Sequence, residues 1–382
     1  MRFIDIIFRN IRRRGARTVF TVTGLAVAVT AIAVLWNIAW GYAQSANTYY
    51  AGRGVDIVVV RAGVSDRLTS SLRDELAARL LSLPEIESVD GGLTEMVSLG
   101  ENNLIGIPLR GFAPAGFTIS QLAISEGRNL RLNDHGTALL GGSIANSLGK
   151  QVGEQIEIEG TEFEIVGVFQ SASPFETNSI ITPLEDVQEL MDRSGLVSEL
   201  QIRAANSVRD DANLSSLCRK IESLRDEHQN LLGLKAQPTH EFVESATESI
   251  FGTAMAWGTS AIVLIMSFLG MLNTMLMSVM ERTRELGILR AVGWTRARVV
   301  RMILGESIVI SLIAAVFGLS IAAIVMFVLS RWSSASTFVP AGVSLPAMTL
   351  GFVSAVLAGV AGAFYPAIRA SDVPPTEALR HE

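Results

Sequence analysis

The chain has 382 residues, of which 49% are hydrophobic and only 18% charged, with a mean hydropathy of +0.38. Soluble domains carry about 25% charged residues, so this balance leans toward a membrane protein. The modest net charge of −6 argues against a nucleic-acid partner, and a single cysteine, Cys218, excludes an intrachain disulfide and a cysteine zinc site.

The first sixteen residues, ending RNIRRRGA, place Phe3, Ile4, Ile7, Phe8 and Ile11 at helical spacing with arginines elsewhere on the wheel. Residues 1–16 are therefore predicted as an amphipathic helix on the inner leaflet. No charged residue occurs from Thr18 to Gly52, which predicts a first transmembrane helix over 17–42. That apolar run exceeds an ordinary signal-peptide core and no sharp cleavage site follows it, so it reads as a retained anchor.

Residues 43–248 read as a large α+β domain inserted between the first and second spans. DIVVVR (56–61) predicts a strand, and TSSLRDELAARLLSLPEI (69–86) a helix started by Thr69 or Ser70 and ended before Pro84. EQIEIEGTEFEIVGVF (154–169) predicts a hairpin turning at Gly160. EDVQELM and SSLCRKIESLRDEHQ predict further helices. With no repeat period, two small α+β lobes are expected.

The remainder predicts three more spans: 249–280 with an extended stalk, 301–330, and 345–368. Between them lie a loop at 281–300 and a short external loop at 331–344, and a tail at 369–382 closes the chain. The uncharged run Ser249–Met280 has 32 residues. At 1.5 Å per residue it reaches about 48 Å, more than the hydrocarbon core needs. Glu306 falls about one turn into the third span, where a carboxylate is a functional candidate. The structural alternative pairs it with Arg301, Arg298 or a neighbouring helix.

Six arginines against one acid precede the first span, and six against two glutamates occupy 281–301. The positive-inside rule then puts both termini and the 281–300 loop in the cytoplasm and residues 43–248 outside. That outer segment holds 30 acids and 16 basic residues.

Catalytic patterns are wanting. GGSIANSLGK (141–150) ends like a phosphate loop, yet Ile144 stands where its first glycine belongs and Gln151 follows Lys150. Asp134 and His135 are adjacent without a nucleophile motif and read as an exposed turn. The four histidines are scattered, which leaves no metal site to propose. Cys218 reads as a small buried hydrophobe among Leu214, Leu217 and Ile221.

The stretch ERTRELGILRAVG comprises Glu281, Arg282, Thr283, Arg284, Glu285, Leu286, Gly287, Ile288, Leu289, Arg290, Ala291, Val292 and Gly293. As a helix it carries a small-residue stripe of Thr283, Gly287 and Ala291, flanked by Arg284 and Arg290. Glu281 and Glu285 share an arc with Ile288 and Val292, which predicts a bend near Gly287. A solvated basic anchor explains the arginines but not Ile288, Leu289 and Val292, so a docking surface for another protein is favoured.

ERTRELGILRAVGWTRARVVRMILGES, the closing FYPAIRASDVPPTEALRHE and the opening RNIRRRGARTVFTVTGLAVAV resemble the MacB/FtsX-like ABC transporter permeases. EGRNL, GGSIANSLG and EIVGVF resemble the extracytoplasmic domain of that family, the MacB-like periplasmic core domain, with 249–382 as its FtsX-like permease domain. The resemblance implies a multi-pass inner-membrane permease that homodimerises. It implies two copies of a separate ATPase that would hold ATP and Mg, with no cofactor on this chain. The thirteen residues from Glu281 to Gly293 would be the coupling element in a groove of that ATPase, and the long helices would carry motion to the outer domain. A periplasmic adaptor and membrane lipids are further implied partners. Export of a hydrophobic, amphiphilic or lipid-linked substrate is the leading reading. Control of a cell-wall hydrolase, as by FtsX, and lipoprotein release, as by LolC or LolE, are the alternatives.

Overall fold

The computed structural model describes residues 15–64, 67–100, 104–171, 173–226, 228–331 and 343–372. Residues 1–14 of the amphipathic helix expected over 1–16, most of the external loop at 331–344 and the last ten residues of the tail lie outside the described residues. The chain divides into two compact units. One holds the residues up to Trp40, Thr253–Val328 and those from 343 on; the other is built on Gly41–Gly252.

Among the described residues, twelve strands shape the outer unit: β1 (Ile57–Arg61), β2 (Leu72–Arg73), β3 (Ile86–Leu99), β4 (Leu104–Phe112), β5 (Ala123–Gly127), β6 (Thr137–Gly141), β7 (Gln155–Ile158), β8 (Thr161–Gln170), β9 (Ile180–Pro183), β10 (Leu196–Val197), β11 (Glu199–Ala204) and β12 (Leu234–Pro238). Ten form one sheet in the order β12-β1-β11-β3-β4-β9-β6-β8-β5, with β7 on β8. The β4–β9 and β6–β8 pairs are parallel and the remaining pairs antiparallel. The two expected lobes are therefore one sheet with several apolar clusters along it. Of the two largest, Leu93, Leu109, Leu140, Ile165 and Ile180 belong to one and Ile57, Leu200, Ile202, Leu217 and Ile221 to the second. A further cluster gathers Phe112, Leu139, Phe169 and Ile181. Cys218 is buried in the second core.

The hairpin forms as expected, and Glu159 (φ 47°) with Gly160 (φ 81°) supplies the two left-handed residues of its turn. The helix expected over 69–83 shrinks to Leu76–Leu81, because Leu72 and Arg73 pair with Val197 and Leu196 instead. Strand pairing at a distance overrides local helix propensity there. EDVQELM gives the helix Leu184–Leu190 as expected. The helix expected over SSLCRKIESLRDEHQ starts earlier and stops at Glu222, spanning Asp211–Glu222, and Arg225 instead bridges Leu231.

Among the described residues, four helices are long and apolar enough to cross a membrane: Gly15–Gly52, Ile250–Glu281, Arg296–Ser330 and Leu345–Ser371. The first runs ten residues past the expected end at 42, and the third begins five residues before the expected start at 301. Small residues set the packing. Gly351, Ser354, Ala355, Ala358, Gly359, Gly362 and Ala363 are all buried along the fourth. A Cβ on Gly318 would stand 2.6 Å from the Ala26 carbonyl oxygen, and one on Gly362 2.7 Å from the Met271 Cβ. In lipid, where apolar surfaces gain little by meeting one another, such close backbone approach supplies the attraction. Thr30 Oγ1 donates to the Gly318 carbonyl at 2.9 Å, and Trp36 Nε1 donates to Ser260 Oγ at 3.1 Å.

Candidate coupling junction

The segment 281–300, expected as a loop, is mostly helical. The second-span helix ends at Glu281, a nine-residue helix covers Thr283–Ala291, and the third-span helix starts at Arg296. The break falls at Arg282 (φ −113°, ψ 12°), and the helix runs through Gly287, where the bend was expected. Thr283 Oγ1 donates to the carbonyls of Met280 (2.8 Å) and Val279 (3.2 Å), satisfying groups left over where the long helix stops. At the far end Gly293 takes φ +102°, a conformation that favours glycine, while its N–H and that of Trp294 reach back to Arg290 and Leu289.

Two faces follow. Leu286 and Gly287 are buried, and Leu286 joins Val279, Val299, Met302, Ile303, Ala367 and Ala370 in one apolar cluster. Arg284, Glu285, Ile288, Ala291 and Val292 are exposed, Val292 at 78%. Thr283, Leu289 and Arg290 are half-buried. The small-residue stripe is thus not the outward surface, since Gly287 packs inward. The outward surface is apolar and charged together.

The charged residues at the break choose partners in two directions. Glu281 pairs with Arg17 of the first helix, whose Nη1 donates to Oε2 at 3.1 Å. Arg282 turns inward: Nη1 donates to Glu306 Oε2 at 3.1 Å and Nε to Glu285 Oε2 at 3.3 Å. Glu306 meets Arg282 rather than Arg301 or Arg298, and both side chains are only 9% exposed. Removing one partner of such a buried pair costs about 3–5 kcal/mol. The sequence showed both residues but not their meeting, 24 positions apart.

Residues 18–221 match the MacB-like periplasmic core domain, and residues 257–375 the FtsX-like permease C-terminal family. The chain belongs to the MacB-type family of ABC transporter permeases. It is a multi-pass membrane protein with an extracytoplasmic segment. The permease is 25% identical over 407 residues to the macrolide export ATP-binding/permease protein MacB of Bdellovibrio bacteriovorus, a match covering 98% of this chain and 61% of that protein. It is 24% identical over 411 residues to the ABC transporter permease YvrN of Bacillus subtilis, covering 99% of each. It thus spans about three fifths of the MacB relative and nearly all of YvrN. The crystal structure of the periplasmic region of MacB from Actinobacillus actinomycetemcomitans aligns at a TM-score of 0.41 and 16% identity, over 50% of this chain and 94% of that one.

A buried polar cluster in the outer unit carries no sequence motif. Tyr50 donates to Glu199 (2.9 Å), Gln201 donates to Glu199 (2.7 Å) and to Tyr49 (3.2 Å), and Arg53 pairs with Glu176. The Arg110 and Arg53 guanidinium groups lie over the Tyr49 ring at 4.4 and 4.8 Å. Burial pushes the Asp90 carboxyl up, against the opposing pull of the Thr118 N–H and of Arg203 and Arg53. Burial likewise pulls Arg53 down. Tyr49 and Gln201 stand 152 positions apart, so no local motif announces the cluster.

Neither other chemical candidate gains a site. GGSIANSLGK takes in only the last residue of β6, Gly141, and then forms the helix Gly142–Leu148, capped by Gly149. Asp134 pairs with Arg128, and His135 Nδ1 lies 3.2 Å from Asp186 Oδ1 in an exposed turn.

Proposed function

We propose that this chain is the transmembrane subunit of an ABC exporter, moving a hydrophobic or amphiphilic substrate with energy from a separate ATPase. The observation that carries this is the outward face of the Thr283–Ala291 helix. Ile288 and Val292 lie exposed between Arg284 and Glu285, on a helix held to its own bundle by Leu286 and Gly287. An apolar pair ringed by charge, on a helix anchored from behind, suits a groove on another protein. The thirteen residues Glu281 to Gly293 would form that coupling element, with ATP and Mg held by two ATPase copies. Family membership supports the exporter class, and the relative named for macrolide export supports an amphiphilic substrate.

The orientation follows the arginines: inner membrane, termini and 281–300 cytoplasmic, 43–248 outside. The second copy of a homodimer would cover the face of the second helix where Gly258, Ala261, Gly270 and Asn273 are exposed. A groove of about 790 Å³ between that helix and the first is lined by Phe20, Val27, Ile262, Gly270 and Asn273. Small residues and an asparagine facing lipid are what an interhelical contact uses. Close packing at Gly318 and Gly362 supports a bundle that transmits motion.

The test is co-purification of the tagged permease with its ATPase. Ile288→Asp and Val292→Asp should insert normally yet lose the ATPase; full retention of complex and of permease-dependent ATP turnover by both would sink the coupling role. The permease alone should hydrolyse no ATP. For orientation, a cysteine at Asp210 should react with an impermeant thiol reagent from outside and one at Thr295 should not.

A further inference from the structure

Glu281 and Arg282, consecutive residues at the break, pair with different helices, the first and the third. We infer that Arg282 is the positioning residue of the junction: its pair with Glu306 sets where the Thr283–Ala291 helix stands against the third span, so that displacement of one moves the other. The inference rests on the coupling reading for its purpose, and on the geometry for its substance.

At Arg282 the main chain leaves helical conformation, so the backbone alone does not set the direction in which the short helix departs. The side chain supplies what the backbone gives up. A guanidinium is a rigid planar fork, and this one engages Glu285 of the short helix through Nε and Glu306 of the third span through Nη1. One side chain therefore bridges both elements. Glu306 lies ten residues beyond Arg296, about 15 Å along that helix. The short helix is thus tied to a point well inside the span and not merely to its near end.

The surroundings would suit apolar side chains as well. Val279, Leu286, Val299, Met302 and Ile303 form a buried cluster on the same stretches of chain. Buried ion pairs are often no more stable than apolar residues of equal volume, so stability does not call for a charged pair here. What charge adds is direction, because an ion pair with hydrogen bonds holds one geometry where apolar contacts tolerate several. The Arg17–Glu281 pair is about one-third exposed on each side and weakened by solvent, so it does not substitute. The carboxylate inside the third span thereby acquires a role: Glu306 acts through Arg282.

The test compares three forms of the full chain in nanodiscs, in a Cys218→Ser background: Arg282→Met with Glu306→Leu, the reversed pair Arg282→Glu with Glu306→Arg, and Arg282→Lys. Spin labels at Val292→Cys and Phe317→Cys, both on exposed positions, report the separation of the short helix from the third span. The apolar pair should leave the thermal unfolding midpoint nearly unchanged and broaden the distance distribution. Without the labels and with Val292 intact, in complex with the ATPase, it should lower permease-dependent ATP turnover about tenfold. The reversed pair should restore a narrow distribution. Should the reversed pair fail to fold, Arg282→Lys, which keeps the charge without the fork, should fall between wild type and the apolar pair. A distribution as narrow in the apolar pair as in wild type would overturn the inference, whatever the turnover. Failure of the wild-type chain to bind any ATPase would instead remove the coupling reading, and the distance measurement would still decide the positioning role.

Discussion

The outer sheet and the membrane bundle bury different side chains. Leu93, Leu109, Phe112, Leu139, Leu140 and Phe169 are fully buried in the sheet, whereas the fourth span buries Gly351, Ser354, Ala355, Gly359, Gly362 and Ala363. In water, removal of large apolar surface drives folding, so the sheet fills its cores with bulk. In lipid that gain between helices vanishes, and backbones must come close enough for dispersion and for contacts such as Thr30 to the Gly318 carbonyl. The polar groups differ likewise. The sheet buries a many-membered cluster of tyrosines, arginines and carboxylates, while the junction at the end of the second span is bridged by Arg282 between Glu285 and Glu306.

The largest effect should come from placing bulk in the bundle. Gly318→Leu puts a branched side chain where even a Cβ would meet the Ala26 carbonyl at 2.6 Å, and backbone does not yield as a side chain does. Membrane-inserted, monodisperse protein should be lost; normal yield and thermal midpoint would contradict the packing rule for this unit.

The opposite change probes the sheet. Leu139→Ala opens a cavity in a fully buried site and should cost about 2–5 kcal/mol. Chemical denaturation followed by a signal from the outer unit would read it, and a cost near zero would mean the sheet does not depend on bulk.

Smaller still is Tyr50→Phe, which deprives the buried Glu199 carboxylate of a donor at 2.9 Å while Gln201 remains. A loss of about 1–3 kcal/mol is expected.

Acidity offers a finer contrast within the outer unit. Asp90 is held up by burial, so the folded state keeps its proton longer than the unfolded chain does. Its contribution to stability is present below the ordinary carboxylate range and is lost as pH rises through the folded value. Asp134 is held down by its hydrogen bond to Arg128, so its contribution is present above the ordinary range and is lost as pH falls through the folded value. Asp90→Asn should remove the first slope and Asp134→Asn the second, measured as unfolding midpoints across acid pH.

The smallest effect is a null reaction. Burial pushes the Cys218 thiol up to about 12, so it should stay unlabelled at neutral pH until the protein is unfolded.

The spans, the charge asymmetry, the hairpin and the failed phosphate loop were legible in the sequence because each depends on neighbours within one segment. Uncharged runs mark spans residue by residue, and Gly160 marks a turn by its own conformation. The resemblance carried by ERTRELGILRAVG and EIVGVF pointed to the family, which the matches over 18–221 and 257–375 then established. Tertiary structure alone decided which residues meet. Leu72 and Arg73 became a strand because Leu196 and Val197 were there to pair with them, and two expected lobes became one sheet. The break fell at Arg282 and not at Gly287, and Glu306 took Arg282 over the nearer Arg301. The physical reason is common to all of these. Pairing energies depend on distances in space between residues 24 to 152 positions apart, and periodicity along a chain carries no record of those distances.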